Sequence, residues 1–169
     1  NATSNRQFRL AARPVGMPKP SDWDLVEQPL PEPAEGEFLV RIEYISLDPA
    51  MRGWMNEGKS YVPPVGLGEV MRASSAGEVV ASRHPKFPVG SRVVGLFGVQ
   101  EYALSDGKGA RVVDTALAPL PTYLSVLGMT GMTAYFGLLD VGGLQLTLGC
   151  TPRRSNAMRT EARLAQPVR

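Results

Sequence analysis

The chain has 169 residues, of which 43% are hydrophobic and 20% charged, and its formal net charge is +2, so it is long enough for one globular domain of ordinary size. One cysteine, Cys150, and one histidine, His84, exclude an intramolecular disulfide, a cysteine-rich zinc lobe and a poly-histidine metal site. The basic residues do not cluster before the C-terminal tail, which argues against a nucleic-acid partner. No apolar run approaches the roughly 20 residues of a membrane span, so no membrane partner is expected and the cytoplasm is the default compartment.

The first two thirds of the chain are patterned as short strands. Residues 6–13 alternate between polar and small or apolar side chains, and a proline-rich loop is expected from Pro18 to Gly36. Residues 37–46 place phenylalanine, valine and isoleucine on one face, which predicts a half-buried strand. Further strands are expected at residues 77–82, 91–96, 99–105 and 111–113. Short strands at this spacing, separated by glycine and proline turns, indicate a small barrel or sandwich.

The remaining segments are irregular or helical. Residues 47–66 contain three prolines and three glycines, which predicts an irregular segment. Helical signal is confined to the C-terminal third, where Thr130 or Thr133 is expected to cap a helix that ends at Gly142 and Gly143. From about residue 143 the composition changes and no apolar period is visible.

Three side chains in and after the irregular segment are candidates for chemistry, each with a plainer alternative. The planar guanidinium of Arg52 suits a phosphate, and the alternative is that Asp48 and Arg52 hold the loop together. Tyr61 would hydrogen-bond a substrate carbonyl, or it is a packed loop aromatic. His84 precedes a proline in a turn, and we expect a surface turn residue there.

Five motifs follow one another in order along the chain. They are Leu-Asp-Pro-Ala-Met-Arg at 47–52, Gly-Glu-Val-Met-Arg at 68–72, Val-Val-Ala-Ser-Arg-His-Pro at 79–85, Gln-Glu-Tyr-Ala-Leu at 100–104, and the stretch 128–139. Each is weak alone, but together they resemble the zinc-free medium-chain dehydrogenases/reductases that reduce conjugated carbon–carbon double bonds. The resemblance is to their leukotriene hydroxydehydrogenase, prostaglandin and curcumin reductase branch, and it covers roughly residues 6–142.

The resemblance implies a fold and a division of the chain. The fold would be mainly β, a GroES-like, partly open and mainly antiparallel β-barrel over residues 6–115 with a few short helices, most of them after residue 119. Residues 6–127 would be the GroES-like catalytic domain, and residues 128–142 the start of a linker helix toward a nucleotide-binding domain. Residues 143–169 are expected to be an aberrant tail, with the C-terminal Rossmann domain of the family missing.

The resemblance also implies site residues. NADP(H) would be the cofactor, and Met129 and Thr133 look like the family residues that face its nicotinamide. With the candidates named above, Tyr61 would be the catalytic residue and Arg52, Met129 and Thr133 the cofactor-binding residues. Thr133 would either bond the nicotinamide carboxamide or simply cap the helix. Family members often have an aromatic residue where this chain has Ala50.

The zinc ligands of the family's metal-dependent cousins are replaced in this chain. A cysteine and a histidine of those enzymes correspond to Ser46 and, about four residues before Gly77, to Ala73. Neither side chain can complete a zinc site, so no metal is expected.

The glycine-rich phosphate loop of the family is not found after Leu139. The glycines at 142 and 143 do not open a G-x-G-x-x-G pattern, so the pyrophosphate of NADPH would lack its anion site.

Two functions follow from these observations. The first is the N-terminal domain of an NADP-dependent oxidoreductase that reduces enones and enals, small-molecule substrates, and that is inactive as this chain alone. The second is a non-enzymatic GroES-like β-barrel. Because part of the 128–139 surface would normally be covered, we also expect self-association as a homodimer.

Overall fold

The computed structural model describes residues 4–58 and 60–142. The chain divides into two compact units, with the boundary in sequence between Leu124 and Ser125. The sequence-based boundary between residues 127 and 128 lies close to this one, whereas the tail from residue 143, with Cys150, lies outside the described residues.

The first unit contains two antiparallel sheets. Strand β1 (Ser4–Leu10) pairs along its whole length with β2 (Trp23–Pro29). The second sheet has the order β6-β3-β4-β5-β7. Its strands, in chain order, are β3 (Phe38–Ile45), β4 (Ser75–Ser82), β5 (Arg92–Gly95), β6 (Tyr102–Ser105) and β7 (Arg111–Val112).

The two sheets are joined at isolated points. Single antiparallel bridges pair Gln7 with Gln100 and Arg9 with Val70. The described residues of the first unit therefore form an incompletely closed arrangement of antiparallel strands. This confirms the predicted mainly β, partly open and antiparallel architecture.

Helices are short. Helix α1 covers Ala50–Trp54, and α2 covers Met129–Phe136 and continues as a short π-helix through Gly137–Val141. Turns of 3-10 helix lie at Pro20–Asp22 and Leu120–Leu124. Most of the described helix therefore follows residue 119, as predicted. No helix in the described part of the chain combines the length and the apolar character that crossing a membrane requires.

Three local expectations were wrong. Strand β2 lies in the region expected to be a loop, because its pairing partner β1 dictates extended backbone although most of its side chains are exposed. Helix α1 lies in the segment expected to be irregular, where burial of Met51 and Met55 stabilises a single turn. The N-cap of α2 is Gly128 and not a threonine, and the hydroxyl of Thr130 donates to the carbonyl of Ser125 at 2.8 Å.

His84 is more buried than a surface turn residue. Its imidazole lies edge-on to the rings of Phe38 and Phe87, with centroids 5.9 and 4.9 Å away. Its Nδ1 accepts a hydrogen bond from the backbone N–H of Lys86 at 3.1 Å. The imidazole therefore closes the turn between β4 and β5 over the edge of the core.

The core of the first unit consists of three apolar clusters. One lies on the inner face of the larger sheet around Phe38, Val40, Val79 and Val93. A second joins β1 to α1 through Leu10, Met51, Met71 and Ala73. A third packs Leu120 on Ala76 and Val94. Burying one large apolar side chain contributes roughly 1.5–3 kcal/mol, so the second cluster fixes α1, and with it the candidate site, to the sheets.

Candidate functional site

Helix α1 positions two of the predicted site residues. The motif Asp48-Pro49-Ala50-Met51 begins the helix, because Pro49 is the N-cap with helical backbone and the N–H of Met51 donates to the carbonyl of Asp48 at 3.0 Å. Met51 is directed into the core and is 8% exposed. The next residue of the helix is Arg52, and the loop after the helix carries Tyr61.

Arg52 is held by the neighbouring loop. Its Nε and Nη2 donate to the carbonyl of Gly16 at 3.2 and 2.9 Å, and Nη2 also donates to the carbonyl of Pro14 at 3.0 Å. Its Nη1 donates to the side chain of Asn56 at 2.5 Å. Of the five N–H donors of a guanidinium, four are therefore engaged, which is the geometry of the loop-holding alternative.

Tyr61 is 80% exposed, and its hydroxyl is fixed by one contact. The indole Nε1 of Trp54 donates to the Tyr61 oxygen at 3.2 Å. Because that bond uses the oxygen as acceptor, the phenolic O–H is directed elsewhere and can donate to a ligand. The exposed phenol is thus available as a hydrogen-bond donor at the surface.

Three residues that the sequence reasoning did not single out hold this loop in place. The Nη1 of Arg13 donates to the carbonyls of Met55 and Val65 at 2.9 and 2.6 Å. The guanidinium of Arg72 lies 5.6 Å from the centroid of the Trp54 ring, and it donates to the carbonyl of Pro63 at 2.9 Å. A tryptophan among prolines and glycines, close in sequence to a candidate tyrosine, is the signal that would have pointed to Trp54.

Arg52 and Tyr61 have different surroundings. Arg52 lines an apolar pocket of about 480 Å³ beside α1, and Tyr61 is not among the residues that line it. No hydrogen bond among the described residues joins the two side chains. Within the first unit, then, the structure places one candidate on a pocket wall and the other on the exposed loop.

Met129 and Thr133 belong to the second unit, on the first turns of α2. Met129 is 82% exposed. The hydroxyl of Thr133 donates to the carbonyl of Met129 at 2.8 Å, so its oxygen retains lone pairs that can accept a hydrogen bond. Thr133 lies inside the helix, and its capping alternative was therefore wrong.

The positions of the replaced zinc ligands are occupied by groups unsuited to metal. Ala73 is fully buried in the second apolar cluster, and the N–H of Ser46 donates to the carbonyl of Ser74 at 2.8 Å. The described residues contain no group of three or more His, Cys, Asp or Glu side chains that could hold a metal ion. The expectation of no metal stays a prediction, tested by elemental analysis.

Comparisons with known proteins agree with the fold. The family described as the N-terminal domain of oxidoreductase matches residues 6–113. The NADPH-dependent curcumin reductase of Escherichia coli strain K12 is 45% identical over 139 residues, which are 82% of this chain and 40% of that protein. Prostaglandin reductase 1 of Sus scrofa is 37% identical over 145 residues, which are 83% of this chain and 41% of that protein.

A solved structure shows the same relationship. The crystal structure of CurA in complex with NADPH from Vibrio vulnificus matches with a TM-score of 0.76 at 45% identity, covering 83% of this chain and 42% of that one. The chain therefore spans about two fifths of the length of the relatives it matches. It belongs to the family of oxidoreductase N-terminal domains, in the medium-chain reductase branch of the curcumin and prostaglandin reductases.

Proposed function

We propose that this chain forms the catalytic domain of an NADPH-dependent oxidoreductase that reduces the conjugated double bond of enones and enals. Two of its relatives are named as curcumin and prostaglandin reductases. The observation that carries the proposal is the exposed Tyr61 phenol, whose oxygen accepts from Trp54 and whose O–H is left to donate.

A donor of this kind suits the reduction of an enone. Bound NADPH would supply a hydride to the β-carbon, and a proton would complete the reaction at the α-carbon. Negative charge develops on the carbonyl oxygen as the double bond is reduced, and a hydrogen bond from Tyr61 would stabilise it there. Such a donor acts most strongly when its position is fixed before the substrate binds, and the Trp54 contact would help to hold the Tyr61 oxygen in place.

The residues present fit the nicotinamide end of the cofactor better than its phosphates. The Thr133 oxygen can accept from the amide N–H₂ of a carboxamide, and the exposed Met129 offers an apolar contact. Four N–H donors of Arg52, by contrast, are already hydrogen-bonded to Pro14, Gly16 and Asn56, so they are not available to a phosphate. The sequence also contains no G-x-G-x-x-G pattern. We therefore propose that Met129 and Thr133 contact the nicotinamide and that this chain alone does not hold the pyrophosphate.

A chimera tests the reaction. Residues 6–142 would replace the matching segment of the E. coli curcumin reductase, to which the chain is 45% identical. We expect the folded chimera to oxidise NADPH only when an enone is present. A folded chimera that is inactive would contradict the proposal and favour the non-enzymatic barrel.

Two tyrosine variants of the chimera test the role of the phenol. Tyr61→Phe removes only the hydroxyl, and we expect kcat to fall by about 10²-fold, the usual effect of losing one donor to a developing oxyanion. Tyr44→Phe is the matched control, because Tyr44 is a partly exposed tyrosine on β3, 44% exposed. Equal activity of the two variants would show that Tyr61 does not polarise the substrate.

A further inference from the structure

Four methionines from three separate segments of the chain line the pocket beside α1. Met51 lies in α1 and Met55 is its C-cap, Met71 comes from the segment before β4, and Met17 from the loop before β2. The rings of Phe8 and Trp23 complete this methionine pocket. We propose that the methionine pocket binds a flat, neutral aromatic molecule at a site separate from Tyr61.

The shape of the pocket favours a small molecule. Its floor is fixed, because Met55 and Met71 are 5% and 1% exposed and belong to the second apolar cluster. Its rim is apolar and in contact with water, since Met17 and Leu47 are 82% and 81% exposed. A ligand would remove this apolar rim from water, which is favourable in proportion to the area covered. A volume of about 480 Å³ lies within the range of small-molecule sites.

The side chains of the wall favour an aromatic ligand over an aliphatic one. Methionine sulfur is polarisable and makes favourable contacts with ring edges, and the flexible thioether adapts to ligands of different outline. Aromatic pairs add an attraction beyond their buried area when their rings are offset or edge-to-face. Four thioethers around two aromatic rings therefore suit a flat ring system.

The charges of the wall favour a neutral ligand. One carboxylate, that of Asp48, and one guanidinium, that of Arg52, line the pocket. Most Arg52 donors are already bonded to the loop, so they are not aimed at a ligand anion. The two opposite charges offset each other, and an added charge on the ligand would lose hydration without gaining a partner.

Fluorescence titration of the full chain with N-phenylnaphthylamine tests the proposal. We expect saturable binding of one probe per chain with a micromolar Kd, and weaker binding of its sulfonated analogue, anilinonaphthalene sulfonate. Non-saturable binding would overturn the proposed site. Tighter binding of the sulfonate would overturn the preference for a neutral ligand.

Matched variants locate the probe. Leu47→Glu places a carboxylate at the mouth of the pocket, and we expect at least about tenfold weaker binding, or about 1.4 kcal/mol. Leu117→Glu is the control, because Leu117 is 80% exposed against 81% for Leu47 and does not line the pocket. Tyr61→Phe should leave the affinity unchanged. A loss of binding in Tyr61→Phe, or equal losses in both glutamate variants, would overturn the proposal.

Methionine methyl NMR gives an independent location that does not depend on a substitution. The chain has seven methionines, and four of them form the pocket. Ring currents of the bound probe should shift the methyl signals of Met17, Met51, Met55 and Met71. Shifts confined to Met129 and Met132, which are exposed on α2, would show that the probe binds the helix instead and would overturn the proposal.

Discussion

At the residue scale, Gly77 lets β3 and β4 approach each other. A Cβ at this position would lie 2.0 Å from the carbonyl oxygen of Arg41, a backbone atom that cannot move aside without breaking the strand pairing. The register of the two strands also shifts next to this point, between Ile42 and Tyr44. Glycine inside a strand commonly marks such a close backbone approach.

We expect Gly77→Ala to lower the free energy of unfolding by about 3 kcal/mol, because overpacking against backbone forces the strands apart. The measurement is urea denaturation followed by circular dichroism. Gly53→Ala is the control, since nothing lies within 4 Å of a Cβ at Gly53 in α1. Alanine there should be neutral or stabilising by up to about 1 kcal/mol. Equal effects of the two substitutions would contradict the steric explanation.

Sequence reasoning could name site residues but not their partners. Tyr61 and Arg52 are recognisable because their residue types suit a carbonyl and a phosphate. Their contacts depend on the path of the loops, since the Arg52 guanidinium bonds a carbonyl 36 residues earlier in the chain. For the same reason Trp54 was not identified, because its contacts with Tyr61 and Arg72 depend on the fold of the segment between α1 and β4. Residue type therefore predicts candidates, and tertiary structure decides what each one can do.

At the element scale, one side chain joins the two sheets where strand pairing is interrupted. The amide of Asn5 on β1 donates to the carbonyl of Tyr102 at 2.8 Å and accepts from the N–H of Tyr102 at 2.9 Å. Asn5 is 2% exposed and thus takes the place of a neighbouring strand for the edge of β6. Beside it, Arg6 hydrogen-bonds Glu101, and this bond lowers the pKa of that carboxyl.

We expect Asn5→Ala to cost about 2 kcal/mol in the free energy of unfolding, because it leaves a backbone N–H and a C=O of Tyr102 without partners. Gln28→Ala is a suitable control, since Gln28 lies opposite Asn5 on β2 and is exposed. Its effect should stay within about 0.5 kcal/mol. Thermal unfolding of both variants measures the two losses of stability. A cost at Asn5 no larger than at Gln28 would show that the amide does not join the sheets.

The elements themselves were predicted unevenly, for physical reasons. Strands β3 to β7 were recognised because they are short apolar segments separated by turn residues at the expected spacing. Strand β2 was missed because it is an outer strand with little buried surface, so its sequence carries almost no apolar period. Helix α2 was recognised, but its apolar side chains are exposed in the described residues, and the expected self-association through this surface stays a prediction.

At the scale of the whole molecule, the candidate groups are divided between two units. Arg52 and Tyr61 lie in the first unit, and Met129 and Thr133 in the second. Neither pair supplies an anion site for a pyrophosphate. Nucleotide phosphates are usually held by a glycine-rich loop before a helix, and the sequence has no such pattern. The activity named for the relatives therefore belongs, in our proposal, to a protein that holds NADPH with more than the residues described.

Because the sequence has no recognisable phosphate loop, we predict that the chain alone does not bind NADPH tightly. Losing the phosphate contacts should weaken binding by several kcal/mol, and each 1.4 kcal/mol is about tenfold in affinity. Hydride transfer also requires the reacting carbons to be held about 3–3.5 Å apart, a geometry that contacts to the nicotinamide alone cannot enforce. We expect calorimetry to show no saturable binding at micromolar NADPH, and an absorbance assay to show no NADPH oxidation with a simple enone. The active chimera is the positive control for both measurements. A micromolar complex with one NADPH per chain would contradict the prediction, and it would place a nucleotide site among residues that carry no recognisable phosphate loop.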